Sequence, residues 1–175
     1  LSSAASDVYK RQRIHKTYAA VTVGVPDPQD GSVNAPIARA DSGILMRVVR
    51  EDGAPSVTGY RTMRVSKDGR YALVALEPLT GRTHQIRVHM ASLGHPVLGD
   101  PVYGGEASPI VTQNRALIHG QCLHAARLEL AHPRTGKTMS FTAPCPADMH
   151  TLIDRMRLAS GYAQPYKSIE DYIKQ

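Results

Sequence analysis

The strongest constraint on this chain is a change of hydrophobic period at Thr80-Gly81. Upstream, short runs alternate and are rich in small and β-branched residues, as strands are. Downstream, Ile86, Met90 and Leu93 recur at i, i+4 and i+7, one face of a helix. A strand that ends at glycine and hands over to a helix leaves N–H groups unpaired at the helix start, and such a terminus attracts anions. The chain therefore needs both sheet and helix, joined at a turn where polar chemistry gathers.

Residues 17–24 predict a strand, with Tyr18, Ala20 and Thr22 on one face and Ala19, Val21 and Val23 on the other. Residues 26–36 predict a loop by their Pro, Asp, Gly, Ser and Asn content. A strand is expected over 44–49, and a hairpin over 60–65 and 71–76, turning at Asp68-Gly69. Thr83 is placed to cap the helix that follows, and Gly94 to end it. His95-Pro96 and Gly99-Asp100-Pro101 force turns, the second held by Asp100 through its own backbone. Residues 123–130 and 138–142 predict paired strands around a turn through His132-Pro133-Arg134-Thr135-Gly136. Pro146 opens a helix with Met149, Leu152, Ile153 and Met156 as its buried stripe, and a short helix is expected near 168–173. The fold class that results is α+β, a mixed and largely antiparallel sheet flanked by helices and loops.

The length of 175 residues suits one domain with a real core. That domain is expected over residues 13–160, after a leader of residues 1–12 foreign to the fold and before an extension of residues 161–175. No apolar run approaches the roughly 18 residues of a membrane helix, and the leader lacks the apolar segment of a signal peptide. The expectation is a cytoplasmic monomer with no membrane partner, its Cys122 and Cys145 reduced. Lys and Arg number 21 against 15 Asp and Glu, a formal charge of +6. That surplus suits a polyanion, although a mildly basic surface without a partner would have the same composition.

The stretch Thr80-Gly81-Arg82-Thr83-His84-Gln85-Ile86-Arg87-Val88-His89 is followed by Leu93-Gly94-His95-Pro96-Val97-Leu98-Gly99-Asp100 and Tyr103-Gly104. In this order and spacing the blocks closely resemble the signature of the RluA-type RNA pseudouridine synthases. Lys16-Thr17-Tyr18-Ala19 resembles that family's Lys-x-Tyr strand, and Leu123-His124-Ala125-Ala126-Arg127-Leu128 with His132-Pro133 its later strand. The resemblance runs from about Ile14 to about Leu158. It implies a cofactor-free isomerase that flips a uridine out of structured ribosomal or transfer RNA. The bond from N1 of uracil to the sugar is broken, the base turns, and C5 is joined to the same carbon. Flipping the base costs a few kcal/mol, which a basic cleft helps offset by holding the neighbouring phosphates.

Two roles carry over by resemblance. Arg87 takes the position whose guanidinium pairs with the catalytic aspartate, where a fixed cation keeps the carboxylate ionised and oriented. Tyr18 takes the position whose ring stacks on the flipped base and whose hydroxyl is a candidate proton acceptor. Patterning alone also allows a surface arginine with a packed stem and a half-buried strand tyrosine. Arg82, Thr83, His84 and Gln85 are expected to meet RNA, although His84 and Gln85 could equally brace the turn. Leu128 is expected to wall the uracil pocket, or else to be an ordinary core leucine. The family's aspartate lies in a His-Arg-Leu-Asp block upstream of the Lys-x-Tyr strand, and no Arg-Leu-Asp occurs in this chain. The expectation is a truncated chain, inactive alone. A non-catalytic RNA-binding module is the alternative. No metal site is expected: the spacing of His119, Cys122 and His124 matches no standard zinc pattern. A hydrolase lacks the Gly-x-Ser-x-Gly or His-Glu-x-x-His motif it would need.

Overall fold

A computed structural model of the chain describes residues 14–41, 46–156 and 158–159. The leader, the C-terminal extension and the helix expected near 168–173 lie outside the described residues. The elements run β1 (His15–Val23), β2 (Asp30–Asn34), β3 (Ile37–Arg39), β4 (Arg47–Val49), β5 (Val57–Ser66), β6 (Tyr71–Pro78), α1 (Gln85–Ser92), a 3-10 turn at Gly105–Ala107, α2 (Pro109–Gln113), β7 (Leu123–Ala131), β8 (Thr138–Thr142), α3 (Ala147–Arg155) and β9 (Leu158–Ala159).

The main sheet has the order β2-β5-β6-β1-β7-β8, with β9 added against β5, and β3 and β4 form a separate ribbon. Every strand pairing among the described residues is antiparallel. The central strands β1 and β6 are covered on both faces, with Ala19–Thr22 and Tyr71–Leu76 buried without a break, so they stand out in the sequence as continuous apolar runs. Alternation along β1 feeds two cores. Ala19 and Val21 pack with Leu73, Leu98, Val111 and the α3 stripe of Met149, Leu152, Ile153 and Met156. On the opposite face Ala20 packs with Tyr60, Val74, Leu76 and Val97, and there α1 lays Ile86 and Met90 against the sheet, with Tyr18 at the margin.

Several expectations are corrected. Residues 30–34 form a strand rather than loop, pairing with β5 from Asp30↔Arg61 to Asn34↔Val57. Val33 alone in β2 is buried, so this edge strand carries almost no apolar signal. The β3–β4 ribbon takes in only Arg47–Val49 of the strand expected over 44–49, and residues 44 and 45 lie outside the described set. Thr83 does not cap α1; His84 occupies that position in the left-handed region, with φ 57°, and no side chain caps it. Gly94 ends the helix as expected, at φ 82°, donating its N–H to Ala91. Leu93, read as part of the buried stripe, is 38% exposed.

Candidate active site

The turn from β6 into α1 is locked by one side chain. Gln85 Oε1 accepts from Thr80 Oγ1 at 2.7 Å and from the Arg82 N–H at 3.0 Å. Its amide nitrogen donates to the Val57 carbonyl at 2.9 Å and to Thr58 Oγ1 at 3.0 Å. Gln85 is buried and both ends of its amide are engaged inside the protein, the arrangement the turn-bracing reading requires. The chain of bonds continues. Thr58 Oγ1 lies 2.9 Å from His89 Nδ1, and His89 Nε2 lies 2.9 Å from the Ala35 carbonyl. A carbonyl only accepts, so Nε2 carries a proton and Nδ1 of the neutral ring accepts from Thr58. Burial lowers the His89 pKa, keeping the ring uncharged.

With the helix fixed, Arg87 is buried beside its apolar stripe. Its Nε donates to Asp100 Oδ2 at 2.7 Å and its Nη2 to Asp100 Oδ1 at 2.8 Å, a two-pronged pair. Asp100 is fully buried, and Oδ1 also accepts the N–H groups of Val102 and Tyr103 at 2.9 and 3.1 Å. The turn-holding role expected of Asp100 is therefore present, but it was only half of the residue's work. Burial pushes its carboxyl pKa up, while the hydrogen bonds from Arg87, Val102 and Tyr103 outweigh this and hold it below the ordinary value. The same pair raises the pKa of Arg87. A buried arginine needs a carboxylate partner, and Asp100 supplies it from the following block.

Tyr103 completes the cluster. The Arg87 guanidinium carbon stands 5.0 Å from its ring centre. The Tyr103 hydroxyl accepts from the Arg47 N–H at 3.0 Å and lies 3.0 Å from His84 Nδ1, and the two rings meet edge to face. Burial, then the charges of Arg87 and Arg47, lower the His84 pKa. His84 is thus half-buried at the rim, while Arg82 and Thr83 are exposed beside it. Arg82 Nε reaches the Pro55 carbonyl at 3.3 Å, with the rest of its guanidinium outward.

On the same sheet face a shallow cavity of about 260 Å³ opens over β1, β7 and β8. Lys16, Tyr18, Ala125, Leu128 and Phe141 line it. The register explains their meeting. Between Thr17 and Tyr18 the ladder with β7 shifts, so Thr17 faces Arg127 but Tyr18 faces Ala125. This bulge lets Ala125 and Leu128, three residues apart, serve one face. Ala126, the extra residue, packs into the core and also borders the cavity, as does Arg127. A small residue opposite Tyr18 leaves the flank of its ring open, and Leu128, paired with Lys16 and Phe141, closes the far side. The structure thus brings Tyr18 and Leu128 into one cavity. Arg87 stands on the helix packed on that same face.

The model of a family described as RNA pseudouridylate synthase matches residues 1–92. The chain belongs to the RluA-type family of RNA pseudouridine synthases. It is 40% identical to an uncharacterized RNA pseudouridine synthase of Chloroflexus aurantiacus, over 89% of this chain and 46% of that protein. It is 42% identical to the ribosomal large subunit pseudouridine synthase D of Escherichia coli K12, over 85% of this chain and 46% of that protein. The chain spans about half the length of the curated relatives it matches. Among solved structures, human RNA pseudouridylate synthase domain containing 4 superposes with a TM-score of 0.68 at 27% identity, over 89% of this chain and 67% of that one. Human RNA pseudouridylate synthase domain containing 1 gives 0.63 at 25% identity, over 95% and 75%. The described residues contain the Lys-x-Tyr strand as β1, the arginine-bearing helix as α1 and the later strand as β7, which pairs with β1.

Proposed function

We propose that this chain is the pocket-forming part of an enzyme that isomerises uridine to pseudouridine in ribosomal or transfer RNA, without a cofactor. The observation that carries the reading is the shared face: an open cavity walled by Tyr18 and Leu128, on the side of the sheet where α1 holds Arg87. A flat, uncharged base fits a shallow apolar slot beside an aromatic ring, and base–aromatic stacking is worth about 1–3 kcal/mol. Lys16 at the rim, and Arg82 with Thr83 at the helix start, are placed to meet phosphates.

The chemistry needs an aspartate that this chain does not supply in an Arg-Leu-Asp block. Arg87 pairs with it and keeps it ionised; Tyr18 stacks on the freed uracil, and its phenolic oxygen accepts the C5 proton when the new carbon–carbon bond forms while passing its own proton to solvent, and N1 takes up a proton from solvent. The 175 residues alone are expected to show no turnover. A cytoplasmic monomer is part of the same proposal. The competing reading is an RNA-binding module without catalysis, favoured by that same missing block. An in-frame Arg-Leu-Asp block just upstream of Ile14 in the coding sequence supports the enzyme, and a native start codon there the module.

The test is carbodiimide mapping of stable RNA treated with the longer protein that carries the block. New modified uridines support the reading, and none in any ribosomal or transfer RNA sinks it. Arg87→Ala is expected to abolish turnover more than RNA binding; equal loss of both contradicts its role. Turnover by the 175-residue chain itself would show that the aspartate has been misplaced.

A further inference from the structure

Arg87 is largely buried, yet the protein engages only part of its guanidinium, and the unengaged edge is not sealed from solvent. A guanidinium has five N–H donors in one plane. One on Nε and one on Nη2 go to Asp100. Among the described residues no acceptor meets the other three, which lie on Nη1 and on the far side of Nη2, although the side chain is only 11% exposed. The ring of Tyr103 covers the guanidinium. The holder is itself rigid. Asp100 is tied by two N–H groups to its own oxygen, by its N–H to the Val97 carbonyl, and by its carbonyl to the Glu106 N–H. The loop closes so tightly that a Cβ on Gly105 would collide with the Val97 carbonyl.

We infer that Asp100 is a positioning residue: it grips the Nε/Nη2 edge of Arg87 so that the opposite, Nη1/Nη2 edge is presented to a second carboxylate, that of the catalytic aspartate. This inference rests on the proposed function. An arginine with both edges free could swing about its long stem. Gripped on one edge and covered by Tyr103, it has one orientation left, and the second carboxylate meets a preset fork. Reacting groups misplaced by about 1 Å cost on the order of 100-fold in rate, so the grip acts on turnover rather than on RNA affinity.

The two oxygens of Asp100 divide its roles, and this permits a clean test. Asp100→Asn can keep Oδ1 for Val102 and Tyr103 and so keep the turn. Where Oδ2 stood it places an NH₂ against the Arg87 Nε–H, donor against donor. In the longer, active protein, D100N is expected to lower kcat on the order of 100-fold, with KM for RNA changed less than about threefold. In the same protein the Arg87 Nε–H signal in ¹⁵N NMR is expected to exchange slowly in the wild type and much faster in D100N. Asp100→Glu, which keeps a carboxylate, should recover part of both. Unchanged kcat, equal losses in kcat and affinity, or identical Nε–H exchange in wild type and D100N would each overturn the inference. If the wild type makes no pseudouridine, the functional reading fails by itself. The Nε–H exchange still decides whether Asp100 holds Arg87.

Discussion

Replacing Gln85 with alanine should unfold the turn that sets the whole site. The side chain makes four hydrogen bonds, two from the Thr80–Arg82 turn and two to β5. An intramolecular hydrogen bond contributes about 0.5–1.5 kcal/mol net. Thr80 and Arg82 lie near the surface and can turn to water, so their two bonds are set at the lower bound. Thr58 is fully buried and Val57 partly so, and their bonds take the upper bound. The sum is about 4 kcal/mol, and for a protein of this size a fall in melting temperature on the order of 10 °C. Urea unfolding of purified wild type and Gln85→Ala, followed by far-ultraviolet circular dichroism, measures it. Gln85→Glu should cost a similar amount, because an oxygen would then face the Val57 carbonyl. A change below about 0.5 kcal/mol, the level of an ordinary surface substitution, together with a tenfold loss of RNA affinity, would show that Gln85 meets RNA and does not brace the turn.

The buried imidazole of His89 makes stability depend on pH. Its folded pKa lies below the unfolded value of about 6.5, so its contribution is complete above that value and is lost as pH falls toward the folded pKa. Unfolding free energy should drop between pH 7 and 5 by at most about 1.4 kcal/mol per pH unit from this group. His89→Gln should flatten the slope, and an unchanged slope refutes the assignment. Cys122 is buried and its thiol pKa is pushed up to about 11, while Cys145 is partly exposed. Iodoacetamide at pH 8 should therefore label Cys145 and spare Cys122 until the protein is denatured, as intact-mass analysis can show. In RNA binding, Tyr18→Ala should lose on the order of 1–3 kcal/mol of stacking and Tyr18→Phe little. Equal loss in both would place the interaction in the hydroxyl instead of the ring.

What could be read from the sequence follows from which signals are local. β1, the β5–β6 hairpin, β7–β8 and α3 announce themselves, because each carries a short run of strand-forming residues or a helically spaced apolar stripe beside turn residues such as Asp68-Gly69. β2 did not, since an edge strand with one buried valine is held by backbone pairing to β5 and little else. α2 and the Gly105–Ala107 turn are too short to show a period. The start of α1 was misjudged by one residue because the His84 backbone, not a hydroxyl cap, makes the turn. The family blocks pointed to Tyr18, Leu128 and Arg87; Tyr18 and Leu128 line one cavity, and Arg87, on α1, is not among its lining residues. The Asp100 grip could not be read locally, because its Arg87 partner is 13 residues away and belongs to another block. The β7 bulge that sets Ala125 against Tyr18 is likewise a property of paired strands, not of either strand alone.

Release of tritium from RNA labelled at C5 of uridine is the most direct measure of whether this face rearranges a base. Forming a carbon–carbon bond at C5 frees the hydrogen there, whereas binding or flipping leaves it in place. The longer protein bearing the Arg-Leu-Asp block is predicted to release label from ribosomal or transfer RNA. Arg87→Ala and Tyr18→Ala in that protein are predicted to release almost none. Label lost at the wild-type rate from both variants would contradict the account, as would none lost from the wild type while its RNA binding is intact.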